Sequence, residues 1–458
     1  MATGDTIQYA GEYKLQSCRL DSSTGISARL DSNVTEINIY ENLFTNSIEA
    51  TLIIVDQNNM VMNMPIVGQE HIHLKIETPN VGVIDNIFSV YKIIARQDLT
   101  IGSQSYELQL ISTETLRNNR TRISKSYTGL TSDIVEKILR DDKLINTNKD
   151  IHIDETSKIR KFVAPNVRPK DFITNLTKES TSKEFGGSPH YFFYETARGF
   201  NFRVLDSLYA QPFKGKFVAS EAASIDGENK RNNIEKDYQR IIDFTIGTTN
   251  DTLLSSRGGM LSSNLIKYNI FNKNYEKHTY NYFDNFKDFD RIDENPIYNK
   301  TEIDEQGNTI GDFSNARVQL HPTSSNETND TQFYDSDTGY SYSDNNSQDW
   351  ILSRRSRVLE MSSGGMRVNI KVKGYCNLCV GDKVNVTLPI TGKDHGKSKI
   401  DTFYEGEFLI THLRHNFDQA ERMHIMFLSL VKDSIPVSFK NILSGKEPLR
   451  SKGQTIQY

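Results

Sequence analysis

The chain has 458 residues, 36% of them hydrophobic and 25% charged, and a formal net charge of -5. That length calls for two to four domains, and the slight acidity argues against a surface that grips nucleic acid non-specifically. Three cysteines (Cys18, Cys376, Cys379) exclude a disulfide framework, the N-terminus shows no signal peptide, and no run reaches membrane-spanning length, so a protein folded in a cytoplasm is expected.

Residues 1–115 read as a strand-rich unit behind an N-terminal arm. Val34, Ile37, Ile39 and Tyr40 open it, Ile48, Ala50, Leu52 and Ile54 alternate with polar neighbours, and Asp56-Gln57-Asn58-Asn59 supplies a turn. Gly68-Gln69-Glu70 then leads into residues 71–76, followed by 88–93 and 106–112, all with a two-residue period. Residues 116–215 change period. Thr131, Ser132 and Asp133 offer N-caps, Asp133 and Glu136 sit at capping-box spacing, and Ile134, Val135, Ile138 and Leu139 form one stripe, predicting a short helix. A second helix is expected from Arg168-Pro169-Lys170-Asp171, with Pro169 suited to the first turn. Residues 191–196 and 200–205, parted by Ala197-Arg198-Gly199, read as a hairpin, which completes an inserted α/β module.

Residues 216–233 read as a linker and 238–246 as a strand opening a second unit, which spans 216–249 and 350–435. The stretch 250–349 interrupts it. Tyr275, Tyr280, Tyr282, Phe283, Phe286 and Phe289 come first, then a polar run from His321 to Asn346 that is expected to form exposed loops. Residues 349–361 predict a helix with Arg354, Arg355 and Arg357 on its polar side. After Gly374, Leu378 and Gly381-Asp382, residues 383–388, 408–413 and 422–429 alternate as those of the first unit do, and 436–458 form a tail.

The two strand sets follow one pattern. The expected fold class is mainly β with α+β insertions, carrying two similar tube-like antiparallel β-barrels per chain. Three such chains would present six similar surfaces in a pseudo-six-fold ring, able to stack on a six-fold tube.

Motifs that carry chemistry are sparse. Cys376-Asn377-Leu378-Cys379 has the spacing of half a zinc site, but the second cysteine pair is lacking. His395, His412, His415 and His424 show no ligand spacing, so a turn feeding a strand is the reading. Gly186-Gly187 and Gly258-Gly259 lack the Lys-Ser/Thr of a phosphate loop, and hydrolase signatures are missing. Asp141-Asp142 and Asp154-Glu155 would serve glycoside hydrolysis only if a cleft paired two carboxylates. The arginine cluster reads as a solvated face, Trp350 as helix packing or an interface anchor, and the aromatics 275–289 as a binding patch or a buried sub-core. No catalytic, cofactor-binding or metal residue is assigned, and no cofactor is expected.

Three stretches occur in a telling order: residues 37–56 followed by Gly68-Gln69-Glu70; residues 168–173 leading to Tyr191-Phe192-Phe193-Tyr194 and Gly199-Phe200-Asn201-Phe202; and Gly374, Leu378 and Gly381-Asp382-Lys383-Val384. Together they resemble the central baseplate hub subunit of T-even-type contractile phage tails, a family related to the head portion of VgrG spikes. Gly68, Glu70, Gly374, Leu378, Gly381 and Asp382 carry the structural motif. The resemblance implies a non-enzymatic virion protein of the tail baseplate, assembled in the host cytoplasm. It would be a homotrimer joining the hexameric tail tube, or tube-initiator proteins, to a trimeric central spike protein, with baseplate wedge proteins as further partners. It implies no membrane anchoring and no sequence-specific nucleic acid contact, the genome passing at most through the lumen. No lysozyme-like segment is fused, so the puncturing spike would be a separate protein. The alternatives are a tail-tip cell-wall hydrolase, a VgrG-like secretion spike head, and a receptor adhesin using the aromatic insertion.

Overall fold

The computed structural model describes residues 7–58, 60, 66–100, 102–219, 234–247, 250–270, 273–323, 332–343, 350–394 and 397–437. Most of the expected linker and tail, His395 and parts of the polar run 321–346 lie outside the described residues.

Alternation of apolar and polar residues builds the main sheet. In Glu49–Asp56, for example, Ala50, Leu52 and Ile54 are buried while their neighbours are partly exposed. The sheet has 13 strands. The front seven are β1 (Lys14–Asp21), β2 (Ser27–Arg29), β3 (Val34–Asn42), β4 (Glu49–Asp56), β5 (His71–Thr78), β6 (Gly82–Thr100) and β7 (Ser103–Ser112). The rear six are β8 (Gly215–Val218), β9 (Ile241–Ile246), β10 (Met366–Lys373), β11 (Lys383–Thr387), β12 (Gly406–Asp418) and β13 (Met423–Lys432). Their order is β9-β10-β13-β12-β3-β4-β7-β6-β5-β1-β2, with β11 on β12 and β8 on β11.

Two halves of this sheet repeat one ladder. The front runs β3-β4-β7-β6-β5 and the rear β9-β10-β13-β12-β11, antiparallel throughout. The irregularities repeat as well. The β6–β7 register slips at Tyr91, between Val90↔Leu110 and Lys92↔Gln109; the β12–β13 register slips at Thr411, between Ile410↔Leu430 and His412↔Ser429. The β3–β4 register slips at Thr35 and the β9–β10 register at Ile242, again the same ladder position. Bulges re-aim a strand at a defined place, so matching bulges mark matching folds.

The chain is mainly β, as the alternation predicts. Among the described residues, however, neither half closes into a barrel: the halves join in one continuous sheet through β3 and β12, paired from Asn42↔His412 to Glu36↔Asp418. The reason is where β11 begins. It starts after the Gly381 turn and pairs β12 only over residues 406–409, as β5 pairs β6 only up to Ser89, which leaves the rest of that side of β12 open for β3. Each half keeps its own core, one around Leu52, Leu74, Phe88 and Leu108, the other around Ile370, Val384, Phe408 and Leu428.

The module after β7 has the helices and hairpin expected of it: Thr131–Arg140, Pro169–Glu179, and Tyr191–Thr196 with Gly199–Val204. Its core gathers Ile134, Ile138, Phe172, Phe193 and Phe202. Three local expectations need correction. Thr131 is the first helical residue rather than the cap, because Leu130 in extended conformation ends the preceding strand. Residues 234–239 form a helical turn, and the strand begins only at Ile241. Within the polar run, Gln332–Asp335 and Tyr340–Ser343 form a hairpin, docked where Asp335 accepts from Thr128 and pairs with Lys161 at 3.2 Å.

Candidate functional site

Gly68 and Glu70 shape the turn before β5, and Gly374, Leu378, Gly381 and Asp382 lie between β10 and β11. Gly68 has φ +86 and Gly381 φ +87, a region favourable only to glycine. A Cβ on Gly381 would strike the Tyr194 hydroxyl, and one on Gly374 would strike the His424 ring. Leu378 is buried in the rear core. Glu70 is fully buried, and its carboxylate accepts the N–H groups of Val67, Gly68 and Gln69 at 2.8, 2.8 and 3.0 Å. Asp382 serves the rear in the same way, accepting from the Cys379 N–H at 3.1 Å. The ladder aligns Glu70 with Asp382, because each offers its carbonyl to the bulge-side strand: Val90 N–H donates to Glu70 at 2.9 Å and Ile410 N–H to Asp382 at 3.0 Å. The two glycines are therefore one residue out of step.

Asp382 also receives the tip of the inserted hairpin. Arg198 donates to both of its oxygens at 3.2 and 3.1 Å, and Lys214 approaches at 2.8 Å. The next link is Glu41 of β3, buried, which accepts from Ala197 N–H at 2.6 Å and Val380 N–H at 2.8 Å. Burial pushes its carboxyl up to about 7. The hairpin tip thus bolts the front half to the rear half.

Two buried ion clusters fasten the insertions, and sequence reading missed both. Lys170 is fully buried and donates to Asn46 O, Thr115 Oγ1 and Glu195 at 2.8, 2.8 and 3.2 Å, while Lys149 bridges Glu195 and Glu114 at 2.7 and 3.1 Å. The arginine cluster is not a solvated face. Arg357 is 1% exposed and pairs with Asp433 at 2.5 Å, and Arg291 pairs with Glu360 at 2.9 Å while stacking on Phe286 at 3.9 Å. Each set balances its charges, which is what allows ions to be buried at all. Charge runs on one segment cannot reveal a partner far away in sequence. The aromatic insertion is in part a buried sub-core, with Tyr280, Tyr282 and Phe286 packed against Leu352, Met366 and Ile435. Trp350 packs on the inserted module, its indole N–H donating to Lys178 O at 3.3 Å and its ring facing Arg160.

Several groups that could carry chemistry are buried or paired. Burial pushes the thiols up, Cys376 to about 11 and Cys18 to about 12, so neither is a ready nucleophile. Cys376 accepts from Thr78 Oγ1 at 3.3 Å. His415 and His424 form a buried pair, Nδ1 to Nε2, at 3.0 Å, stacked on Phe417. Asp154 accepts Val204 N–H at 2.9 Å and Glu155 pairs with Lys183 at 2.7 Å, so both are engaged in fastening loops. Among the described residues no three His, Cys, Asp or Glu side chains form a metal-binding group, and no helix is long and apolar enough to cross a membrane. The face of the sheet over β3, β10, β12 and β13 holds a hollow of about 550 Å³, lined by Tyr40, Glu49, Asn369, Lys371, His412 and Arg414 among others.

No protein-family model and no curated protein matches the sequence. Solved structures do match the fold. A tail protein from Neisseria meningitidis MC58 aligns over 93% of this chain and 98% of its own, at 12% identity and a TM-score of 0.51. The 43 kDa tail protein of prophage MuSo2 from Shewanella oneidensis aligns over 91% and 98%, at 11% identity and a TM-score of 0.50. A component of the E. coli type VI secretion system aligns over 89% and 74% with a TM-score of 0.41, too distant to carry weight. The chain shares the fold of the two tail proteins over nearly its whole described length.

Proposed function

We propose that this chain is a structural hub of a contractile phage tail, a homotrimer that joins the hexameric tail tube to a trimeric spike. The observation that carries the reading is the duplicated ladder with its matching bulges. A chain holding one ladder twice offers two like surfaces, and three chains offer six. A six-fold tube can then seat on a three-fold object without a dedicated six-fold protein. The shared fold with two tail proteins supports the same reading.

In this proposal residues 1–115 form the first tube-like unit and 216–249 with 350–435 the second. Residues 116–215 and 250–349 are insertions, and 436–458 form a tail. In the ring the units take their place as two tube-like barrels per chain. Gly68, Glu70, Gly374, Leu378, Gly381 and Asp382 set the turns of both units. Tube or tube-initiator proteins lie on one side, the spike on the other, and wedge proteins around the rim, with the chain doing no covalent chemistry. It is a virion component, assembled in the host cytoplasm. Mass photometry and negative-stain images of the full chain, alone and with its spike, test the reading. Three-chain rings with a central channel are expected, and a strict monomer with the spike present sinks it.

A further inference from the structure

The duplication leaves two strand edges without partners among the described residues. β9 pairs β10 on one side only, and its Ile242 and Ile246 are 48% and 41% exposed. β6 continues past the end of β5, which stops pairing at Ser89, so residues 92–98 are paired on the β7 side alone. Tyr91 and Leu99 beside this stretch are 45% and 54% exposed. Long open edges of this kind are aggregation hazards unless something covers them.

The chain already contains the solution once. Inside the molecule, β3 lies on the open stretch of β12. In the repeated ladder β9 stands where β3 stands, and β6 stands where β12 stands. We infer that β9 of one copy adds to residues 92–98 of β6 in the next copy, antiparallel and in the register of the internal β3–β12 joint. The inference rests on the ring-forming reading above and specifies the contact that would close the ring.

The ladder fixes the register. Gly247, Thr245 and Asp243 take the places of Tyr40, Asn38 and Glu36, as their pairing to β10 and β4 shows. Lys92, Ile93 and Ile94 take those of His412, Leu413 and Arg414. An extra residue then enters β6, where Ala95 has φ +53, and Gln97, opposite Ser105, takes the place of Asn416, opposite Ile425. Gln97 therefore faces Thr245. The chemistry fits as well. In the internal joint Asn416 donates to Glu36 at 2.7 Å and to Asn38 at 2.9 Å. Gln97 offers the same amide, Asp243 the same carboxylate, and Thr245 a hydroxyl acceptor. Arg96, next to Gln97, supplies positive charge on the Asp243 side, as Arg414 does for Glu36 at 3.5 Å in the internal joint. The contact is head-to-tail, so it must close into a ring or run on as a filament.

The full chain carrying Gln97→Cys with Thr245→Cys tests the joint directly. Antiparallel neighbours at a non-hydrogen-bonded pair sit about 4.5 Å apart at Cα, within disulfide reach. Oxidation should convert it to a three-chain covalent species on a non-reducing gel, whereas Val83→Cys with Thr245→Cys should not cross-link. A second variant removes the backbone donor. Gly247 N–H faces Arg367 O at 2.9 Å, so the N–H of Ile246 faces the open edge. Ile246→Pro should keep the far-UV spectrum and weaken self-association about tenfold or more. Absence of the Gln97–Thr245 cross-link, equal cross-linking of the Val83 control, or unaltered association of the proline variant overturns the joint. If trimers persist in any of these cases, the hub reading stands while the joint falls.

Discussion

At the scale of single residues, backbone geometry and burial decide which positions tolerate change. Gly381 combines φ +87 with a Tyr194 hydroxyl where a Cβ would go, while Gly25 has φ +82 and nothing within 4 Å. Gly25→Ala should therefore cost about 1 kcal/mol, the backbone strain alone, and Gly381→Val roughly 3 kcal/mol or more. Urea titration of the two variants separates these terms, and equal costs would refute the assigned turn. The histidine pair makes a second prediction. Burial lowers His415 to about 4, helped by the Arg198 charge, and holds His424 well below the usual histidine range, with the His415 charge adding to it. Unfolded histidines bind protons near pH 6.5, so between that value and about 4 the unfolded state holds more protons than the folded one. Stability should therefore fall as pH drops through this window, by roughly 3 kcal/mol for His415 alone. Glu41, raised by burial to about 7, acts oppositely: its contribution is lost as pH rises from its unfolded value through 7. Denaturation midpoints of Glu41→Gln against the parent chain should improve steadily from pH 5 to pH 8. A constant difference would contradict the assignment.

At the scale of elements, the insertions are held by balanced ions rather than by apolar surface alone. Pro169 starts its helix as expected, but the next residue, Lys170, is the one that fixes the helix to the front half of the sheet. Lys170→Met leaves Glu195 without one buried partner and should cost about 3–5 kcal/mol. A cycle with Glu195→Gln should recover part of that loss, and additive costs would show the two do not interact. The docked hairpin Gln332–Asp335 with Tyr340–Ser343 should lose hydrogen-exchange protection in Asp335→Ala, while the main sheet keeps its own.

At the scale of the whole molecule, the two halves share a strand joint and neither is complete alone. Phe417 and Cys376 of the rear half belong to the front core, and β12 covers the edge of β3. A fragment of residues 1–115 should accordingly aggregate or remain unfolded rather than behave as a monodisperse domain. Size-exclusion chromatography of that fragment decides the point.

Alternation and turn chemistry are local properties, so strands at 71–76 and 408–413, each extended by the structure, and a helix opening at Pro169 could be read directly from residue order. The repetition of two strand sets was legible for the same reason. What the folded chain alone decided lies between residues distant in sequence: the β3–β12 joint, the pairing of Arg357 with Asp433, and the hairpin tip on Asp382. Hydrogen-bond partners of edge strands and counter-ions of buried charges are set by three-dimensional neighbourhood, and no period or motif along one segment encodes them.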